Sequence, residues 1–134
     1  MKQLATVMLV EDDPDIAVLA RIAIEEFGGL QFVHHASGPE ALRSIAADPP
    51  DLLLLDYRMP GMNGAEVMSA VRATEAGRNL PIVFMTASLM PRHVERLREL
   101  GALDVLAKPF DPLTLADRLK AIWAAQEATS GESR

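Results

Sequence analysis

The sequence contains no cysteine, which excludes a disulfide framework, a thiol nucleophile and any thiolate metal site. It also lacks an apolar run long enough to cross a bilayer. The opening Met1-Lys2-Gln3 leads into a short apolar stretch that meets Glu11-Asp12-Asp13, too short and too quickly acidic for a signal peptide or a membrane span. Positive charge is in deficit: the net charge of -6 gives a nucleic acid or an anionic membrane little to hold. There is no internal repeat and no low-complexity block. No glycine-rich loop follows the first apolar stretch, which disfavours a nucleotide or flavin binder. What remains is 134 residues, 49% apolar and 24% charged. That is the composition of one globular domain able to bury roughly two thirds of its unfolded surface, and a cytoplasmic location is the default expectation.

The centre of the pattern is Leu52-Leu53-Leu54-Leu55-Asp56. Four consecutive leucines leave no polar face, which suits a central strand of a parallel sheet. Asp56 closes that strand at its carboxyl end, and Tyr57-Arg58-Met59-Pro60-Gly61-Met62-Asn63-Gly64 follows as a loop. Leu4–Val10 reads as a first strand, Phe32-Val33 as a weaker strand near an edge, Pro81–Met85 as a fourth and Val105-Leu106 as a short fifth. Helical spacing fills the gaps. Asp13 before Pro14 reads as an N-cap followed by Pro at the first helical position, and Ile16, Leu19, Ala20, Ala23 and Phe27 mark the expected inner stripe. Further helices carry Ala41, Leu42 and Ile45; Val67, Met68 and Val71; Val94, Leu97 and Leu100; and Leu115, Leu119, Ile122 and Trp123. Five strand-then-helix units predict an α/β fold, a doubly wound parallel sheet with helices on both faces and right-handed crossovers.

In such a sheet all strand ends of one sense gather at one edge, and ligands bind there. The first strand ends in Glu11 and Asp12, the third in Asp56, the fourth in Thr86 and the fifth in Lys108. Each has a plain structural reading: an acid can be a helix cap, threonine ends many strands, and one lysine before proline says little. Together they make a cluster whose acids repel. A pair about 4 Å apart costs roughly 4 kcal/mol at an effective dielectric of about 20. Either one acid keeps its proton or a hard cation neutralises the group, and carboxylates with a backbone carbonyl and waters suit Mg²⁺. Lys108 and the Thr86 hydroxyl then suit the oxygens of a phosphoryl group.

Val10-Glu11-Asp12-Asp13, Leu55–Gly64, Thr86-Ala87 and Lys108-Pro109-Phe110 resemble the receiver domain of two-component response regulators, of the stand-alone, chemotaxis-regulator-like kind. The resemblance covers residues 4–125, with 126–134 left as a polar tail expected to fray. It implies a flavodoxin-like, five-stranded sheet in the order 2-1-3-4-5 with five helices, an order taken from the family and not from the residues. It further implies that Asp56 is the phosphoryl acceptor and that Asp12 is a direct Mg²⁺ ligand. Glu11 would hold metal-bound water, and the Arg58 backbone carbonyl would be a further ligand. Lys108 would pair with the phosphoryl oxygens and Thr86 would hydrogen-bond one of them. The implied donor is a phosphohistidine on a sensor histidine kinase or phosphotransfer protein, or a small acyl phosphate. A downstream protein would dock on the face of the fourth helix, fifth strand and fifth helix, with no direct role for nucleic acid. The chain would catalyse only its own phosphorylation and dephosphorylation, and, if this is the natural full length and not one domain of a longer protein, no output domain would be expected after the last helix.

Two positions depart from the pattern. Receivers often carry Tyr or Phe three residues before the lysine, as partner of the threonine; here that residue is Val105. Arg58, two after the acceptor, sets a long cation beside the site and is expected to change the hydrolysis rate of the aspartyl phosphate. A phosphohydrolase of the haloacid-dehalogenase type also uses a strand-end Asp, Thr, Lys and Mg²⁺. It needs a second Asp at the position held here by Arg58, and a cap domain. A receiver-like module that binds partners without phosphate is the other alternative, kept open by Val105. His34, His35 and His93 carry no metal-binding spacing, and Trp123 reads as helix packing.

Overall fold

The computed structural model describes the backbone of residues 2–132 and the side chains of residues 2–128. Five parallel strands, β1 (Thr6–Val10), β2 (Gln31–His35), β3 (Leu52–Asp56), β4 (Ile82–Thr86) and β5 (Asp104–Ala107), form one sheet in the order β2-β1-β3-β4-β5. The helices are α1 (Pro14–Arg21), α2 (Gly38–Ala47), α3 (Gly64–Arg72), α4 (Pro91–Glu99) and α5 (Leu115–Glu132). The α/β, five-stranded arrangement expected above is the one found, with β2 at an edge. Every residue of β3 and β4 is buried, as expected of strands covered on both faces.

Strand residues alternate between two cores. Val7, Leu9, Leu52, Leu54, Val83, Met85 and Leu106 face α1 and α5, where Ala20, Ala23, Ile24, Leu115, Leu119 and Trp123 meet them. Met8, Val10, Leu53, Leu55, Ile82, Phe84 and Val105 face α2, α3 and α4, against Ile45, Val67, Met68, Val71 and Leu97. Each fully buried Leu or Ile contributes about 1.5–3 kcal/mol relative to exposure, so the consecutive leucines of β3 tie both layers together.

Two helices differ from the sequence expectation. The inner stripe of the first is Ala17, Ala20, Ala23 and Ile24, while Leu19 (48%) and Phe27 (55%) are exposed. Small alanines let this helix lie close to the sheet. Beyond Arg21 the chain also widens into a π-helical stretch, Ile22–Phe27, which turns Phe27 off the 3.6-residue stripe. At the other end the frayed tail predicted for 126–134 is helix through Glu132. Ala121, Ala124, Ala125 and Ala128 extend a helix already nucleated by packing, at little cost. Residues 133 and 134 lie outside the described residues. Asp13 does cap α1, accepting from the Asp15 N–H at 2.9 Å. Ahead of α5 the Asp111 side chain accepts from the Leu113 N–H at 2.9 Å, closing a turn that leads into the helix.

Candidate functional site: an acidic pocket at the carboxyl edge

The carboxyl ends of β1, β3, β4 and β5 converge because the strands are parallel and in register. Val10 pairs with Leu55, Asp56 with Met85, and Thr86 with Ala107. The Tyr57 N–H donates to the Met85 carbonyl at 3.0 Å and the Lys108 N–H to the Thr86 carbonyl at 2.8 Å, so the ladder holds these residues at one level. Beyond Asp56 the loop is folded back tightly. The Gly64 N–H donates to the Tyr57 carbonyl at 2.8 Å. A Cβ on Gly64 would lie 2.7 Å from Phe84 Cε1 and 2.8 Å from the Asp56 carbonyl oxygen, so only glycine fits. Asn63 and Glu66 form a capping box that fixes the start of α3.

One carboxylate oxygen from each of Glu11, Asp12 and Asp56 lies within 4.8 Å of the others. Glu11 and Asp56 are 1% and 3% exposed, and Asp12 is open to solvent. Lys108 reaches into the group from β5, its Nζ 2.9 Å from Glu11 Oε1 and 3.1 Å from Asp56 Oδ1. Burial pushes the Glu11 carboxyl up to about 7, against the hydrogen bonds from Lys108 and the Asp13 N–H that favour its charged form; Asp56 adds repulsion. Burial also opposes the Lys108 ammonium, but its bonds to Glu11 and Asp56 outweigh that and raise its pKa above the ordinary 10.5. One lysine thus serves two buried acids, and among the described residues no cation pairs with the third, Asp12. Such a set can receive a divalent cation on its solvent side and an anion beside Lys108.

The predicted site residues Glu11, Asp12, Asp56 and Lys108 are therefore brought together. Thr86 is at the same edge and buried, but its hydroxyl is engaged elsewhere. It accepts from the Ser88 N–H at 3.2 Å and lies 3.2 Å from His93 Nε2. Arg58 is exposed and lines two neighbouring cavities, of about 480 Å³ with Tyr57, Met59, Pro60 and Asn63, and of about 540 Å³ with Thr86, Ser88, Met90 and His93. Val105 is buried in the core under α4. His34 hydrogen-bonds the Glu11 carbonyl through Nε2 at 2.7 Å and so steadies the end of β1. His93 is the residue that sequence reasoning passed over. Its distance of seven positions from Thr86 was legible, but nothing in the sequence says that the first turn of α4 points back at the strand end.

A family model for the response regulator receiver domain matches residues 7–120. The chain is 32% identical over 117 residues to the phosphate regulon transcriptional regulatory protein PhoB of Pseudomonas aeruginosa, covering 87% of this chain and 51% of that protein. It is 32% identical over 114 residues to the sporulation initiation phosphotransferase F of Bacillus subtilis, covering 85% of this chain and 90% of that one. It thus spans about half the length of the first relative and nearly all of the second. The receiver domain of the sensor histidine kinase PA1611 from Pseudomonas aeruginosa PAO1, solved with a magnesium ion coordinated in its active site cleft, superposes with a TM-score of 0.79 at 30% identity, covering 90% of this chain and 98% of that one. Among the described residues, no helix is long and apolar enough to cross a membrane.

Proposed function

The chain belongs to the response regulator receiver family, and from that premise we propose that it is a phosphorylation-switched module of a two-component phosphorelay with Asp56 as its acceptor. An Asp56 carboxylate oxygen attacks the phosphorus of a phosphohistidine on a sensor histidine kinase or phosphotransfer protein. The P–N bond breaks, the imidazole leaves, and an aspartyl phosphate remains. Water later cleaves it to restore the carboxylate and release phosphate. Buried acids with one shared lysine suit a hard cation, and Glu11, Asp12, Asp56 and the Arg58 carbonyl would hold Mg²⁺. When bound, it supplies neutralisation of the charge on the phosphoryl oxygens. Lys108 turns from the acids toward those oxygens, and Thr86 donates its hydroxyl proton to one of them. The chain's own residues thus carry out its phosphorylation and dephosphorylation in the cytoplasm. The α4–β5–α5 face, with Leu89 and Met90 exposed just before α4, receives a downstream protein.

The observation that carries this reading is the Lys108 ammonium at 2.9 Å from Glu11 and 3.1 Å from Asp56 inside a three-carboxylate pocket. The test is intact-protein mass after incubation with acetyl phosphate and Mg²⁺. One phosphoryl group is gained by the wild type and lost with Asp56→Ala or a chelator. Should fast hydrolysis hide the gain, beryllium fluoride forms a stable mimic. Absence of both products overturns the reading in favour of a module that binds without phosphate.

A further inference from the structure

Thr86 is 4% exposed, and its hydroxyl has two partners, the Ser88 N–H and His93 Nε2, each at 3.2 Å. His93 lies in the first turn of α4, and its ring meets Tyr57 edge-on with centroids 4.8 Å apart at 84°. Tyr57 follows Asp56 in the chain and also meets Phe84 of β4 edge-on, at 6.0 Å and 71°. His93 therefore joins three points: the hydroxyl at the end of β4, the residue after the acid of β3, and α4 itself. The start of α4 is otherwise lightly held. Met90 at its N-cap makes no side-chain capping bond, Leu97 is the helix's one fully buried residue, and a cavity of about 540 Å³ lies beside Thr86 and His93. Val105 cannot supply an aromatic partner for Thr86.

We propose that His93 is the positioning residue that couples Thr86 to α4, its Nε2 accepting the Thr86 hydroxyl proton in the resting protein. This rests on Asp56 being the acceptor. A threonine hydroxyl has one proton to donate, and the Ser88 N–H already occupies part of its accepting capacity. A phosphoryl oxygen on Asp56, more basic and charged, takes that hydrogen bond. The proton stays on Thr86 Oγ1 and only its acceptor changes. His93 Nε2 then loses its partner, the ring is free to swing into the adjoining cavity, and the first turn of α4 loses its tie to β4. A two-state contact of this kind is what a switch requires.

The test is nitrogen-15 NMR of the histidine side chains and of the α4 amides, before and after beryllium fluoride and Mg²⁺. In the resting protein His93 is expected as the tautomer protonated at Nδ1, and adduct formation is expected to move its Nε2 resonance together with the amides of Arg92 to Leu97. His93→Phe keeps the ring contact with Tyr57 but removes the nitrogens. It should form the adduct as readily as wild type, with its α4 amide response reduced about threefold or more. An adduct that leaves the His93 ring unmoved, or an undiminished α4 response in His93→Phe, overturns the proposal alone. Absence of any adduct in the wild type overturns the acceptor assignment and this proposal with it. The wild-type ring measurement decides even if the variant folds poorly.

Discussion

The two edges of the sheet treat carboxylates in opposite ways. At the amino edge, Asp51 stands alone just before β3. It accepts from the Ala5 and Thr6 N–H groups at 2.9 and 3.1 Å and pairs with Lys2 at 2.7 Å. Burial works against its charge, but the Lys2 hydrogen bond and the two N–H groups outweigh that and hold its pKa below the ordinary 3.8. At the carboxyl edge, Glu11 and Asp56 share Lys108 and crowd Asp12, and Glu11 is pushed up to about 7. A carboxylate whose lone pairs are met by fixed donors locks β1 to β3 and has nothing left to offer. Carboxylates in excess of their donors keep an affinity for a cation. Fastening at the amino edge and room for a cation at the carboxyl edge follow from that imbalance.

The largest break in the comparison is Asp56→Asn. It should abolish phosphoryl uptake by mass while leaving the thermal midpoint equal or higher, because a crowded charge is removed. Lys108→Met should come next, slowing uptake roughly a hundredfold. It should also cost about 2 kcal/mol in urea unfolding at pH 8, because Glu11 loses the ammonium that favours its charged form and must take up a proton or stay unpaired.

The pH response sharpens the contrast. A Glu11 pKa raised from 4.5 to about 7 means the folded state holds a proton that the unfolded state releases. Its contribution is fully present below about 4.5 and is lost as pH rises through about 7. In the presence of a chelator, stability should therefore fall on the order of 2 kcal/mol between those pH values, and Glu11→Gln should flatten this limb. Asp51 acts in the reverse sense, since its lowered pKa contributes above 3.8 and is lost as pH falls through the folded value. Asp51→Ala is the smallest effect. It should cost about 1 kcal/mol at pH 7, shrink in acid, and leave phosphoryl uptake unchanged.

The strand assignments were legible because β3 and β4 are buried on both faces and read as unbroken apolar runs. Glu11, Asp12, Asp56, Thr86 and Lys108 were legible because each stands at a strand end, where parallel topology sends every side chain to one edge. The inner stripe of α1 was not. Leu19 and Phe27 are the larger apolar residues, yet Ala17, Ala20, Ala23 and Ile24 face the sheet, since close approach favours small side chains and a π turn has no local signature. The helical end of α5 was missed because a polar surface was read as a lack of order.

By itself the sequence determined the alternation of strand and helix, the buried centre at Leu52–Leu55 and the set of residues that could carry chemistry. These depend on local periodicity and on which side chains resist burial. Only the tertiary structure decided how the charges are shared. Whether a lysine serves one acid or two, and whether the threonine hydroxyl faces the site or a histidine on α4, depends on distances between residues far apart in the chain. Lys108 and Glu11 are 97 positions apart in sequence and 2.9 Å apart in space. The rise of the Glu11 carboxyl to about 7 comes from its burial, which outweighs the Lys108 bond, and no composition or spacing records it.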